Sequence, residues 1–230
     1  MVKVKICGIT NKEDAFWASS LGADFIGINF YKNSIRKVSL NNAKDIIVSL
    51  PTYTTAVGVF VDEPQEQLIK TVKKIGLSFV QLHGSEDVEY CKKLKETLPS
   101  IKIIKVFKIK PSSELQNTSI QEYSQKLFEE IKNFLQYIDY VLFDTYMETQ
   151  PGGTGEVFCW DVVLELKKLF QENNTNLNFF IAGGLTPENV EDVVEKIEPW
   201  GVDVSSGVER LPRRKDYDKM KNFIRKVKNL

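Results

Sequence analysis

An excess of charge of either sign is missing from this chain. Lysine plus arginine total 31, aspartate plus glutamate total 31, and the formal net charge is zero. A general nucleic-acid or polyanion binder carries a basic excess, so that class is not expected and no nucleic-acid partner is either. Cysteine is sparse, with Cys7, Cys91 and Cys159 the only three. Their separations match no zinc knuckle and no CxxC redox pair, and an odd count argues against a disulfide framework. A reducing, cytoplasmic compartment is expected. No apolar run approaches the ~20 residues that span a bilayer, so no membrane partner is expected. The first strand starts at residue 2, which on this reading leaves no room for a signal or transit peptide. Histidine occurs once, as His83.

What is present is an ordinary globular composition, 42% hydrophobic and 27% charged over 230 residues, enough to bury a large core. Apolar, β-rich runs recur near 2–7, 24–29, 54–60, 78–82, 101–107, 139–144, 177–182 and 201–205. Several are apolar on both faces, as strands of a covered parallel sheet are. Helix starts fall between them. Thr10 with Glu13 reads as a capping box, Ser85 as a cap, and Thr186–Pro187 places proline at a first helical position. Further helices are expected over 40–50, 64–75, roughly 120–137, 160–172 and 214–228. The polar stretch 110–130 reads as an enlarged surface excursion. Eight strand–helix units in this length suit a single (β/α)8 barrel over residues 1–230, with a doubly wound open sheet as the alternative.

In such a barrel the site lies at the carboxyl ends of the strands. Those ends carry Cys7, Asn29, Asp62, Gln81 with His83, Lys105 and Asp144, an unusually polar set. A lone cysteine at a strand end is more often an apolar filler. Asp144 follows "YVLF", where burial can raise a carboxyl pKa and make it a proton donor. His83 reads more readily as a hydrogen-bonding loop residue than as a catalyst. Arg36 follows the second strand and suits bidentate contact with a carboxylate, with a solvated surface charge as the plainer alternative. "LPRRKDYDKM" reads as the solvated start of the last helix, Cys91 and Cys159 as structural, and "PGGTG" at 151–155 as a closing or merely connecting loop.

Two glycine clusters point to phosphate. "AGGLTPENV" and "DVSSGVE" follow the last two strands, where glycine lets backbone N–H groups approach an oxyanion closely. Loops after strands seven and eight are a common phosphate site in these barrels.

Taken together, "KVKICGIT", "FVQLHG", "LFDT" with "GGTG", "FIAGGLTPENV" and "GVDVSSGVE" resemble the phosphoribosylanthranilate isomerase family of tryptophan biosynthesis, in order and over nearly the whole chain. The resemblance implies a (β/α)8 barrel and an Amadori rearrangement needing no cofactor and no metal. It implies Cys7 as general base and Asp144 as general acid. It places Arg36 on the anthranilate carboxylate, Gly183, Gly184, Ser206 and Gly207 on the phosphate, and Asp203 in the site wall. The partner implied is a small phosphorylated substrate, with a monomer and a homodimer both left open. The sister isomerase of histidine biosynthesis places an aspartate where this chain has Cys7. A non-catalytic phosphoribosyl-binding barrel would have no need of Cys7 and Asp144. One departure from the family pattern is Arg213, where many members have glycine.

Overall fold

The structure is a computed structural model describing residues 1–110, 114–115, 118–145, 160–175 and 177–229. Eight parallel strands close into a barrel in sequence order: β1 (Lys3–Ile6), β2 (Phe25–Asn29), β3 (Thr55–Phe60), β4 (Phe79–Leu82), β5 (Lys102–Ile109), β6 (Tyr140–Thr145), β7 (Phe179–Ala182) and β8 (Gly201–Val204). The strand β8 pairs back onto β1, with Lys5 opposite Asp203. Each strand is followed by a helix: α1 (Lys12–Ser20), α2 (Leu40–Ser49), α3 (Gln65–Ile75), α4 (Val88–Thr97), α5 (Ile120–Phe134), α6 (Trp160–Glu172), α7 (Val190–Ile197) and α8 (Tyr217–Lys228). Closure rules out the open sheet.

The two-faced apolar strands fill two cores. Residues such as Ile26, Val80, Val141 and Ile181 face outward and pack with helix residues such as Ala15, Leu94 and Leu166. The alternate positions Phe25, Val57, Ile104, Leu142 and Phe180 fill the barrel interior, since side chains two apart share a face. Phe25, Phe79 and Tyr140 open their strands, and Trp200 immediately precedes β8. Their rings, with Tyr140 and Trp200 4.8 Å apart, plug the amino end of the barrel.

Several helix starts differ from the sequence expectation. Helix α1 is capped by Asn11, whose side chain accepts from Asp14 N, while the Thr10 hydroxyl donates to the Arg213 carbonyl. Asp87 caps α4, and Ser85 instead donates to Asp62. A turn over 187–189 delays α7 to Val190, with Asn189 accepting from Thr186 N. At α1 and α4 the Asx side chain one or two residues on accepts from an orphan amide of the first turn, whereas α7 has no side-chain cap. The last helix starts at Tyr217 rather than 214, because β9 (Glu209–Leu211) and β10 (Arg214–Lys215) form a hairpin. "PGGTG", Cys159 and residues 111–113 and 116–117 of the polar excursion lie outside the described residues. Among the described residues no helix is long and apolar enough to cross a membrane.

Candidate active site

A cavity of about 230 Å³ sits at the carboxyl end of the barrel. Cys7 lines it from the residue just after β1, Asp144 and Asp203 from β6 and β8, and Arg36 from the loop after β2. Gly183 and Gly184 line it from the loop after β7, and Ser206 and Gly207 from the loop after β8. All eight sequence-expected site residues thus meet in one space, gathered by strand closure from across the chain.

Cys7 is anchored by its backbone, with its N–H donating to the Val204 carbonyl at 2.8 Å. Gly8 follows at φ +74°, the left-handed region that glycine adopts without strain. A side-chain carbon on Gly8 would stand 2.5 Å from Arg36 Cδ, so the arginine lies across bare backbone. Burial pushes the Cys7 thiol up, the Lys5 ammonium pulls it down, Asp203 pushes it up and Lys215 pulls it down, leaving it net raised.

Asp203 accepts from Lys5 Nζ at 3.0 Å, in a pair that is almost wholly buried. Burial raises its carboxyl pKa, Lys5 opposes that rise, and nearby Asp144 adds to it.

Asp144 faces His83 across the barrel mouth, with Oδ2 3.0 Å from His83 Nε2. The other ring nitrogen, Nδ1, is 2.9 Å from the Gln81 amide nitrogen. An amide N–H can only donate, so it leaves the ring proton on Nε2, facing the carboxylate. His83 thus hydrogen-bonds, as the sequence reading expected, and its partners are Gln81 and Asp144.

Arg36 makes a bidentate pair with Glu209, Nε to Oε1 at 2.7 Å and Nη2 to Oε2 at 2.6 Å. That hydrogen bonding raises the guanidinium pKa despite partial burial. Glu209 in turn accepts from Lys215 Nζ at 3.3 Å, and Lys215 also donates to the Ser205 carbonyl at 2.9 Å. Lys215 is wholly buried, and burial lowers its pKa against the opposing pull of Glu209 and Cys7. The stretch read as a solvated helix start thus buries one cation, Lys215, against Glu209, while most of its other residues are exposed. Arg213 turns the hairpin at φ +72°, a conformation ordinarily given to glycine. Its carbonyl is held by Thr10.

The glycines join the last two loops. Gly183 and Gly184 have φ of +92° and +67°, and a side-chain carbon on Gly207 would overlap the Leu185 carbonyl oxygen. The two loops consequently pack as one cradle, with glycine backbone on its surface. Cys91, by contrast, is fully buried on α4, where burial pushes its thiol up to about 12, as befits a structural residue.

Three residues escaped the sequence reading: Lys5, Glu209 and Lys215. For Lys5 the signal was present, since two-residue alternation puts it on the same face as Cys7 in a strand covered on both sides. Glu209 and Lys215 carried no such sign, because each is defined by the other.

A family profile described as N-(5′-phosphoribosyl)anthranilate (PRA) isomerase matches residues 4–226. The N-(5′-phosphoribosyl)anthranilate isomerase of Thermotoga neapolitana is 40% identical over 231 residues, covering 100% of both chains. That of Aquifex aeolicus is 40% identical over 230 residues, again covering 100% of both. A crystal structure of phosphoribosyl anthranilate isomerase in complex with reduced 1-(o-carboxyphenylamino)-1-deoxyribulose 5-phosphate superposes with a TM-score of 0.78. It is 35% identical and covers 100% of both chains. With the barrel, the cavity and these full-length matches in agreement, the chain belongs to the N-(5′-phosphoribosyl)anthranilate isomerase family.

Proposed function

We propose that Cys7 is the general base and Asp144 the general acid of the family's isomerisation. The reaction, a step of tryptophan biosynthesis, converts N-(5-phosphoribosyl)anthranilate to 1-(2-carboxyphenylamino)-1-deoxyribulose 5-phosphate. What supports this assignment is a single cavity that collects Cys7, Asp144, Arg36 and both glycine loops at the open end of the barrel.

Asp144 delivers a proton to the ribose ring oxygen, and the aminal opens to a Schiff base. The resulting carboxylate faces the His83 Nε2 proton. Cys7, as thiolate, takes the proton from C2′ and becomes a thiol, giving an enolamine that tautomerises to the ketone. Arg36, held by Glu209 along one edge, keeps N–H groups for the anthranilate carboxylate. Gly183, Gly184, Ser206 and Gly207 receive the phosphate, and Asp203 completes the wall beneath Cys7.

A cytoplasmic location suits a base that must stay a reduced thiol. The Thermotoga maritima relative is described as dimeric, and a homodimer is the assembly we assign by that likeness.

A coupled fluorescence assay on the purified protein tests the assignment. Cys7→Ser and Asp144→Asn should each cut kcat by about 10²-fold or more while KM changes only a few-fold. Circular dichroism on the same samples checks that both remain folded. Near-normal turnover in either folded variant removes that residue from the mechanism.

A further inference from the structure

The base must be an anion inside a site whose burial disfavours anions, so something must favour its ionisation. Five groups besides its own strand's lysine surround Cys7. Asp203 faces it from β8, Lys215 from the β9–β10 hairpin, Arg36 from the loop after β2, and Asp144 and His83 from across the cavity. Of all these, Lys5 has the most direct geometry. Alternation puts Lys5 and Cys7 on the same face of β1, toward the barrel interior. A side-chain carbon on Gly27 would stand 2.7 Å from Cys7 Sγ and 3.0 Å from Lys5 Nζ, so the two groups meet over the bare backbone of β2. Lys5 itself is wholly buried and is held from the other side by Asp203.

We propose that Lys5 is the positioning residue that ionises Cys7, its ammonium donating a hydrogen bond to the thiolate while Asp203 competes for the same ammonium. The thiol proton leaves to solvent on ionisation, and the C2′ proton of the substrate later takes its place on sulfur. Lys5 keeps its own proton throughout. A buried lysine in an interior with no such task would be replaced at little cost by an apolar side chain, because desolvation offsets most of what a buried ion pair contributes. Lys5 stays charged because Asp203 and Cys7 each favour the ammonium against burial, the balance raising its pKa, and the thiolate alone holds it so when Asp203 is neutral. The same carboxylate also disfavours the thiolate. The pair therefore sets how much thiolate is present before substrate arrives.

This inference rests on Cys7 being the base, yet it is tested on the thiol and not on turnover. The experiment follows iodoacetamide alkylation of Cys7 against pH, read by mass spectrometry on the peptide that contains it. Only the thiolate reacts, so the midpoint of the profile reports ionisation, and the high-pH plateau reports access. Lys5→Met should alkylate tenfold or more slowly at a fixed pH below the plateau, the effect of losing an opposite charge at contact distance, roughly 1–3 units. Asp203→Asn should alkylate several-fold faster. The opposite signs matter, because both variants break the same ion pair, and a purely structural role would move the two profiles alike. An unmoved midpoint, or shifts in the same direction, overturns the proposal.

Lys5→Met leaves Asp203 buried and uncompensated, which is strongly destabilising. Should it not fold, Lys5→Met/Asp203→Asn is compared with Asp203→Asn, and its midpoint must lie higher for the proposal to stand. An active Cys7→Ser enzyme would instead refute the role of Cys7 and leave this measurement unaffected.

Discussion

His83 Nε2 stands 3.0 Å from Asp144 Oδ2, and the amide of Gln81 fixes the other face of the same ring. A carboxyl that gives up a proton must be held in the same place before and after it does so. A ring locked by Gln81 does this, since its Nε2–H meets the carboxylate as the charge appears. His83→Ala should lower kcat by roughly 10- to 100-fold through misplacement of the acid, with KM altered little. Steady-state kinetics on the folded variant checks this, and an equal rise in KM with unchanged kcat would make His83 a binding residue only.

The pairing of Arg36 with Glu209 predicts a different kinetic signature. Glu209→Gln keeps the shape but removes the charge that orients the guanidinium, so KM should rise by roughly tenfold while kcat changes less. Arg36→Lys should resemble it, because an ammonium cannot reproduce the planar fork. Unchanged KM in both variants would place the anthranilate carboxylate elsewhere.

The packing of Gly207 against Leu185 ties phosphate binding to loop geometry. Gly207→Ala forces the two last loops apart, so KM for substrate and Ki for inorganic phosphate should rise together, with kcat within a few-fold of wild type. Inorganic phosphate should be a competitive inhibitor of the unmodified enzyme. Non-competitive inhibition, or a KM untouched by the alanine, would place the phosphate outside these loops.

Away from the site, Asp139 accepts from Lys95, Lys102 and Ile103 N. Burial raises its pKa, but the hydrogen bonds from Lys102, Lys95 and Ile103 prevail and lower it. A carboxyl whose folded pKa is depressed stabilises the fold above its unfolded pKa, and that stability is lost as pH falls through the folded value. Asp139→Asn should therefore cost on the order of 1–3 kcal/mol at neutral pH. The gap from wild type should close as pH drops below about 4. Urea unfolding of both proteins at pH 7 and pH 3 measures it, and a gap independent of pH would rule out the charge as its origin.

The sequence by itself determined the strand–helix alternation, the parallel two-faced strands and the polar strand ends, because these are local patterns with fixed periods. It also singled out Cys7, Asp144, Arg36 and the glycine loops, which short motifs carry and which line one cavity in the fold. The caps of α1 and α4 were misplaced because an Asx side chain one or two residues on takes the same amides. The start of α8 was misplaced because the β9–β10 hairpin takes its expected first residues. Only the tertiary structure decided which charges meet. Lys5 finds Asp203 across 198 positions of chain, and Arg36 finds Glu209 across 173. Residues far apart in sequence become neighbours only when β8 closes onto β1, and local periodicity holds no information about that closure. The buried Lys215 shows the same limit from the other side. In sequence it is one of a run of solvated cations, and in the fold it is a fully enclosed ammonium, because a hairpin and not a helix receives it.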